Sequence, residues 1–311
     1  VAQRGELCLL TLSGYIALTE SPAYVSVGQA EWPPENPSVV GYVEGENITY
    51  VYNEAVTGGD QAAFDAEAKR LVEQNVDLIF TIGTLPTKAA KTAVEGTGIP
   101  VVFDPVINPV EEGVVQSISS PGGNVTGIQV VNRADKALEW ALKVMPGTKY
   151  VYIPYNPDDQ FIVMIMQSLF DGVPQQGVEL LPASAVTTPE QMAAAVETLP
   201  DDTIIFIGLL SANLEAGLDT LVAQADQYNV PIFATGRGGA TSFPITDYTT
   251  TFAGQAEQGA QMVDRIFKGA SPANTPVETA EYYLFVNLKG AQTYGVEVSD
   301  DILKQAFEIT R

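Results

Sequence analysis

The chain has 311 residues, 46% of them hydrophobic, and a formal net charge of −23. That length suits two domains, and the apolar content can fill their cores, so a disordered chain is excluded. The apolar runs are of strand length, far short of the roughly 20 residues that cross a membrane as a helix, and so strong an acidic field excludes nucleic acid and anionic membrane surfaces as partners. With no histidine, Ser-His-Asp and Cys-His catalysis and the common His-containing metal sites are also excluded. The single cysteine, Cys8, cannot form an internal disulfide, and its apolar surroundings (GELCLLTL) predict a buried strand residue. Val1–Glu6 carries no long apolar leader core, so the chain reads as cytosolic or as the mature part of an exported protein.

In chain order, Glu6–Leu12 is the first expected strand, and Glu31–Val39, with three prolines, is a surface loop. Ile48–Asn53 alternates like a strand. Asp60 is a plausible N-cap for the amphipathic helix that follows, with Phe64, Ala68, Leu71 and Val72 on one face. Leu78–Ile82, a helix near Pro86–Val94 and Ile99–Phe103 form a βαβ unit. A short helix is expected over Glu111–Ser117, a turn at Pro121–Asn124 and a strand over Val125–Val131. The second half continues with a helix from about Asp135 to Val144 that carries Trp140 in the core. Strand Tyr150–Tyr155, helix Gln160–Phe170, strand Val178–Pro182 and a helix over Pro189–Leu199 capped by Thr188 follow. From Thr203 the pattern of the first βαβ unit returns: LIFTIGT and GIPVVFD are answered by IIFIGLL and NVPIFAT. Gly254–Lys268 is an amphipathic helix, Tyr282–Asn287 a strand, and Ser299–Asp300 begins a final helix to about Ile309.

Strand–helix alternation in two similar units predicts an α/β protein of two Rossmann-like (flavodoxin-like) lobes with parallel sheets. In such sheets ligands sit beyond the carboxyl ends of the strands, and two facing lobes make a cleft for a small molecule.

Several segments together, GYVEGENITYVY, GDQAAFDAEAKRLVEQNVDLIFTIGT, IPVVFDPVINPVEEGVV, PGGNVTGI, YNP, NVPIFAT and VNLKGAQTYGVEVSDDILKQA, resemble the ABC-transporter substrate-binding proteins of the periplasmic binding protein-like class, in the branch that includes aromatic amino-acid binders. The match runs from about Gly41 to the end. The resemblance implies a type I binding-protein fold: an N-terminal lobe of residues 1–124 and 249–280, a C-terminal lobe of 125–248 and 281–311, and a hinge of three crossing segments near Val125–Val131, Phe243–Tyr248 and Tyr282–Asn287. It further implies a monomeric, non-enzymatic, extracytoplasmic protein, often a lipoprotein, that closes on a small polar ligand such as an amino acid and delivers it to a membrane permease. No cofactor is expected, since no Gly-rich phosphate fingerprint is present. A ligand-binding sensor or co-receptor lobe is the alternative reading.

Candidate ligand residues follow from the strand ends. Thr84 and Leu85 open the first βα turn, where free N–H groups suit a carboxylate; Thr84 is either a ligand contact or the helix cap. Ser211 and Asn213 occupy the matching turn, as ligand contacts or caps. Between them stands Ala212, where amino-acid-binding relatives commonly carry an acid. Asp104, where many relatives carry a hydroxyl residue, either faces the cleft for an amine or sugar hydroxyls or is satisfied by backbone N–H groups. Asp247 matches a family aspartate and serves contact or hinge geometry. Arg237, in ATGRGGA, binds an anionic group or pairs with a neighbouring Asp. Ser13 and Tyr15 line the cleft after the first strand, and Tyr155 and Asn156 follow a later one, with Tyr155 stacking a ring or packing. Trp32 is a loop anchor or a lid.

Overall fold

A computed structural model describes residues 5–10, 42, 46–51, 61–237 and 243–311. Strand β1 (Gly5–Leu10) runs parallel to both β2 (Ile48–Val51) and β3 (Leu78–Thr81), with Cys8 in register with Val51 and Ile79. Helix α1 (Gln61–Glu73) buries Phe64, Ala68 and Leu71, the face its sequence period predicts. Helix α2 (Thr84–Ala93) returns the chain to β4 (Val101–Ile107), and β5 (Val125–Val130) follows. The helix expected over Glu111–Ser117 does not form. The segment is a series of turns in which the Pro109 carbonyl accepts from both Val114 and Val115 N–H, so the bonds close locally rather than propagating.

The chain continues through α3 (Ala134–Val144), β6 (Tyr150–Tyr152), α4 (Gln160–Gly172), β7 (Glu179–Leu180) and α5 (Pro189–Ala195). Next are β8 (Thr203–Ile207), α6 (Ala212–Glu215), α7 (Leu218–Tyr228), β9 (Ile232–Ala234) and β10 (Thr246–Thr249). Trp140 is partly buried against the core, with Lys143 Nζ 4.3 Å from its ring centroid. Thr188 caps α5 as expected, its hydroxyl accepting from Gln191 N–H at 3.3 Å. Thr188→Ala is expected to lower stability by about 1 kcal/mol, read from the urea midpoint; an unchanged midpoint would show that the cap is not formed in solution.

Helix α8 (Phe252–Phe267) and β11 (Glu278–Thr279) are followed by β12 (Tyr283–Asn287), α9 (Leu288–Thr293), α10 (Asp300–Leu303) and β13 (Glu308–Thr310). The final helix therefore stops at Leu303, short of the expected Ile309. Phe307 N–H donates to Leu284 O at 2.8 Å and its ring stacks 4.4 Å from Tyr283, which draws the end of the chain into the sheet as a strand.

Two compact units result, Val1–Val131 with Phe252–Glu281 and Asn132–Thr251 with Tyr282–Arg311, so the chain passes between them three times. The first unit holds a sheet of order β11-β5-β4-β3-β1-β2, all parallel. β5, which the sequence placed in the C-terminal lobe, is thus a strand of the first unit. Ile79, Val101 and Phe103 pack with Phe64, Leu71 and Ala90 on one side of this sheet, while Leu78, Phe80 and Val102 pack with Met262, Val263 and Ile266 of α8 on the other. The second unit holds the order β13-β12-β10-β9-β8-β6-β7, parallel except where β12 runs against β10. Between those two strands the chain leaves for the first unit, so no direct helical crossover dictates a parallel return. Both units are Rossmann-like α/β layers, with helices against parallel-dominated sheets.

Candidate functional site

In the first unit the candidate residues gather at the carboxyl ends of β3 and β4. Gly83 is the N-cap of α2 and Thr84 its first helical residue, so Thr84 is not the cap. Leu85 is partly buried against the core and acts mainly in packing. Thr87 is fully buried and bonded within the turn, its hydroxyl donating to Gly83 O at 2.6 Å and lying 2.8 Å from that of Thr81. Gly83 N–H donates to Pro105 O at 3.1 Å, which ties the turn to β4 beside Asp104.

β4 bulges at that point. Phe103 pairs with Gly127 and Val106 with Gln129, so Asp104, Pro105 and Val106 span what Ile128 and Gln129 span on β5. Gly127, the last residue of PGGNVTG, makes this approach possible: a Cβ there would lie 2.1 Å from Phe103 O. Asp104 is only 5% exposed, and its Oδ1 is buried with no hydrogen-bond partner. The reading of Asp104 as a loop carboxylate satisfied by backbone N–H groups therefore fails for that oxygen. Removal from water, with no compensating charge, holds its pKa well above the usual carboxylate range. Gly259 of α8 lies directly over it: a Cβ at that position would stand 2.5 Å from Asp104 Oδ2 and 3.1 Å from the Phe80 ring. Ser13, Tyr15, Trp32 and Asp60 lie outside the described residues.

In the second unit the groups are bonded to one another. The guanidinium of Arg237, after β9, pairs not with an Asp but with Glu215 of α6 at 2.6 Å, with 7% and 13% of the two side chains exposed. A second nitrogen of the same guanidinium donates to Gly208 O at 3.1 Å, after β8, while its Nε is buried without a hydrogen-bond partner. Asp247, buried in β10, accepts from Arg237 N–H at 3.1 Å. Arg237 thereby fastens the ends of β8, β9 and β10, with its charge already balanced by Glu215.

Ser211 is the N-cap residue of α6, and its hydroxyl donates to Asn213 Oδ1 at 2.7 Å. The Asn213 amide donates in turn to Thr187 O at 2.8 Å, which turns this side chain to a neighbouring loop. Tyr155 stacks on Phe170 with ring centroids 4.6 Å apart, the packing role, and Asn156 Oδ1 accepts from Asp158 N–H within a turn. Glu215, Gly208 and Gly259 were not anticipated. A glycine inside the apolar stretch of α8 was the readable sign for the last; the Glu215 pairing arises only from the tertiary fold. Among the described residues no group of three or more His, Cys, Asp or Glu is placed to hold a metal, and no helix is long and apolar enough to cross a membrane.

The model of the ABC transporter substrate binding protein family matches residues 38–310, and the chain belongs to that family. A tyrosine-binding protein of Clostridioides difficile (strain R20291) is 25% identical over 241 residues, which cover 78% of this chain and 68% of that protein. Among solved structures, the ligand-free, open form of a Clostridium difficile substrate-binding protein with adhesive properties superposes with a TM-score of 0.77 at 20% identity, covering 98% of this chain and 99% of the other. A domain from Streptococcus pneumonia in complex with L-Trp gives 0.66 at 20% identity, covering 99% and 100%. These likenesses establish the type I binding-protein fold of the chain.

Proposed function

We propose that the chain is the extracytoplasmic solute-binding protein of an ABC importer, a monomer that captures an amino acid or a related small polar compound and hands it to a membrane permease. The family match across residues 38–310 carries this reading. The names of two relatives, one tyrosine-binding and one bound to L-Trp, support an amino acid as the class of ligand. Capture by closure of two lobes, with Thr84 and Asp104 contributed by the first unit and Ser211 and Asp247 by the second, belongs to the same proposal. Arg237 and Asn213 enter it as groups that shape the second unit's strand ends. Binding without chemical change suits a chain without histidine.

A thermal-shift screen over tyrosine, tryptophan, other amino acids, nucleosides, sugars and small carboxylates tests the proposal. A true ligand at a hundred times its Kd is expected to stabilise the protein by about 2.7 kcal/mol. Stabilisation by sugars or nucleosides alone would overturn the amino-acid assignment, and no stabiliser in any class would overturn the solute-binding reading.

A further inference from the structure

Two unfavourable choices coincide at one point of the first unit. Asp104 places a carboxyl in an apolar layer and leaves Oδ1 without a partner, so its desolvation is not offset there. Gly259 stands within the 16-residue helix α8, where glycine is less favourable than alanine. The second choice accommodates the first, since any Cβ at position 259 would press on Asp104 Oδ2. Among the described residues Asp104 makes no ion pair: Phe80 of β3 lies with it under Gly259, β5 presents Gly127 and Ile128, and the buried face of α8 is Gln255, Gly259, Met262, Val263 and Ile266. The second unit differs, for there Glu215 is taken up by Arg237 and Asp247 accepts the Arg237 N–H. Asp104 is thus a buried carboxyl for which the described residues supply no cation.

We propose that Asp104, packed beneath Gly259, is the carboxylate that binds the ammonium group of the ligand. A hydroxyl would satisfy one lone pair but leave the charge in its apolar setting unbalanced; an ammonium group does both. This assignment rests on the amino-acid reading above and narrows it to ligands that carry a protonated amine. Binding is proton-linked. The amine arrives already protonated, the carboxyl of Asp104 gives its proton to the buffer, and no covalent bond to the ligand forms or breaks. Affinity therefore rises with pH until Asp104 is ionised in the free protein, by up to about tenfold per pH unit.

Isothermal titration with the whole chain tests this, using tyrosine, tryptophan, tyramine and the deaminated acids 3-(4-hydroxyphenyl)propionate and indole-3-propionate. Runs in two buffers of different ionisation enthalpy count the protons released. Amine-bearing compounds are expected to bind at least a hundredfold more tightly than deaminated ones, with net proton release that fades as pH rises. Asp104→Asn is expected to abolish both the preference and the release. Gly259→Ala, which leaves the carboxyl in place but crowds it, is expected to weaken amine-bearing ligands selectively. Equal binding of the two sets, or a preference and release that survive Asp104→Asn, would overturn the assignment while leaving the solute-binding reading intact. Binding of neither set would overturn this assignment and the amino-acid reading together.

Discussion

Arg237→Ala is expected to lower the stability of the protein by about 3–5 kcal/mol, the cost of leaving a buried carboxylate without its partner. Glu215 is 13% exposed in its side chain and faces Arg237 at 2.6 Å, so truncating the arginine strands its charge. The same substitution also removes the donor to Gly208 O. Glu215→Ala is expected to cost a similar amount by stranding the guanidinium. Replacing both residues with apolar side chains of similar size, Arg237→Met with Glu215→Leu, is expected to cost far less than the two single changes added together. Urea denaturation of the native protein, Arg237→Met, Glu215→Leu and the double variant closes a cycle, and a coupling near zero would mean that the pair is solvated. Arg237→Lys keeps the charge but lacks the fork that reaches Glu215 and Gly208 together, so it is expected to recover only part of the loss.

The second expectation concerns pH. Burial raises the pKa of Asp104 in the folded protein well above the unfolded-chain value, so the folded state holds a proton that the unfolded chain releases. The stability contributed by the protonated form is fully present below the unfolded value, near ~3.9, and is lost as pH rises through the folded value. Asp104→Asn removes this dependence. Without ligand the variant is therefore expected to match the native protein near pH 3.5 and to gain on it by about 1.4 kcal/mol per pH unit above ~4, until the native carboxyl ionises. Thermal melts of both proteins from pH 3.5 to 8 measure the gap; a gap that does not vary with pH would show that Asp104 is solvated. A residue whose replacement stabilises the empty protein while abolishing capture of an amine is placed for binding rather than for folding.

Much of the architecture is legible in the sequence because it is periodic and local. Phe64, Ala68 and Leu71 mark α1, the LIF and IIF runs mark β3 and β8, and Thr188 marks the start of α5. What escaped depends on contacts remote in sequence. β13 exists because Phe307 meets Tyr283 and Leu284; α9 begins where the Asn287 side chain accepts from Gly290 N–H at 2.9 Å, right after a strand, with no run of polar residues to announce it. At the candidate site the sequence singles out the carboxylates and the arginine but not what they touch. Arg237 reads as an anion receptor or as the partner of an Asp until Glu215 is seen beside it, and the crowding around Asp104 is visible only once α8 is laid over β4. Tyr155 and Asn156, at a strand end like the others, proved to be engaged in packing and in a turn.

The three passages of the chain between its units also fix an order of assembly. The helix that covers Phe80, Val102 and Asp104 begins at Phe252, after the stretch Asn132–Thr251 of the second unit has been synthesised. Until then Phe80, Val102 and the other apolar residues that this helix buries lack that part of their cover. The second unit waits in the same way for β12, which joins β10 only after the first has received its helix. Neither unit is completed by an uninterrupted stretch of chain, and the late residues from Phe252 to Asn287 supply the helix that the first awaits and the strand that the second awaits.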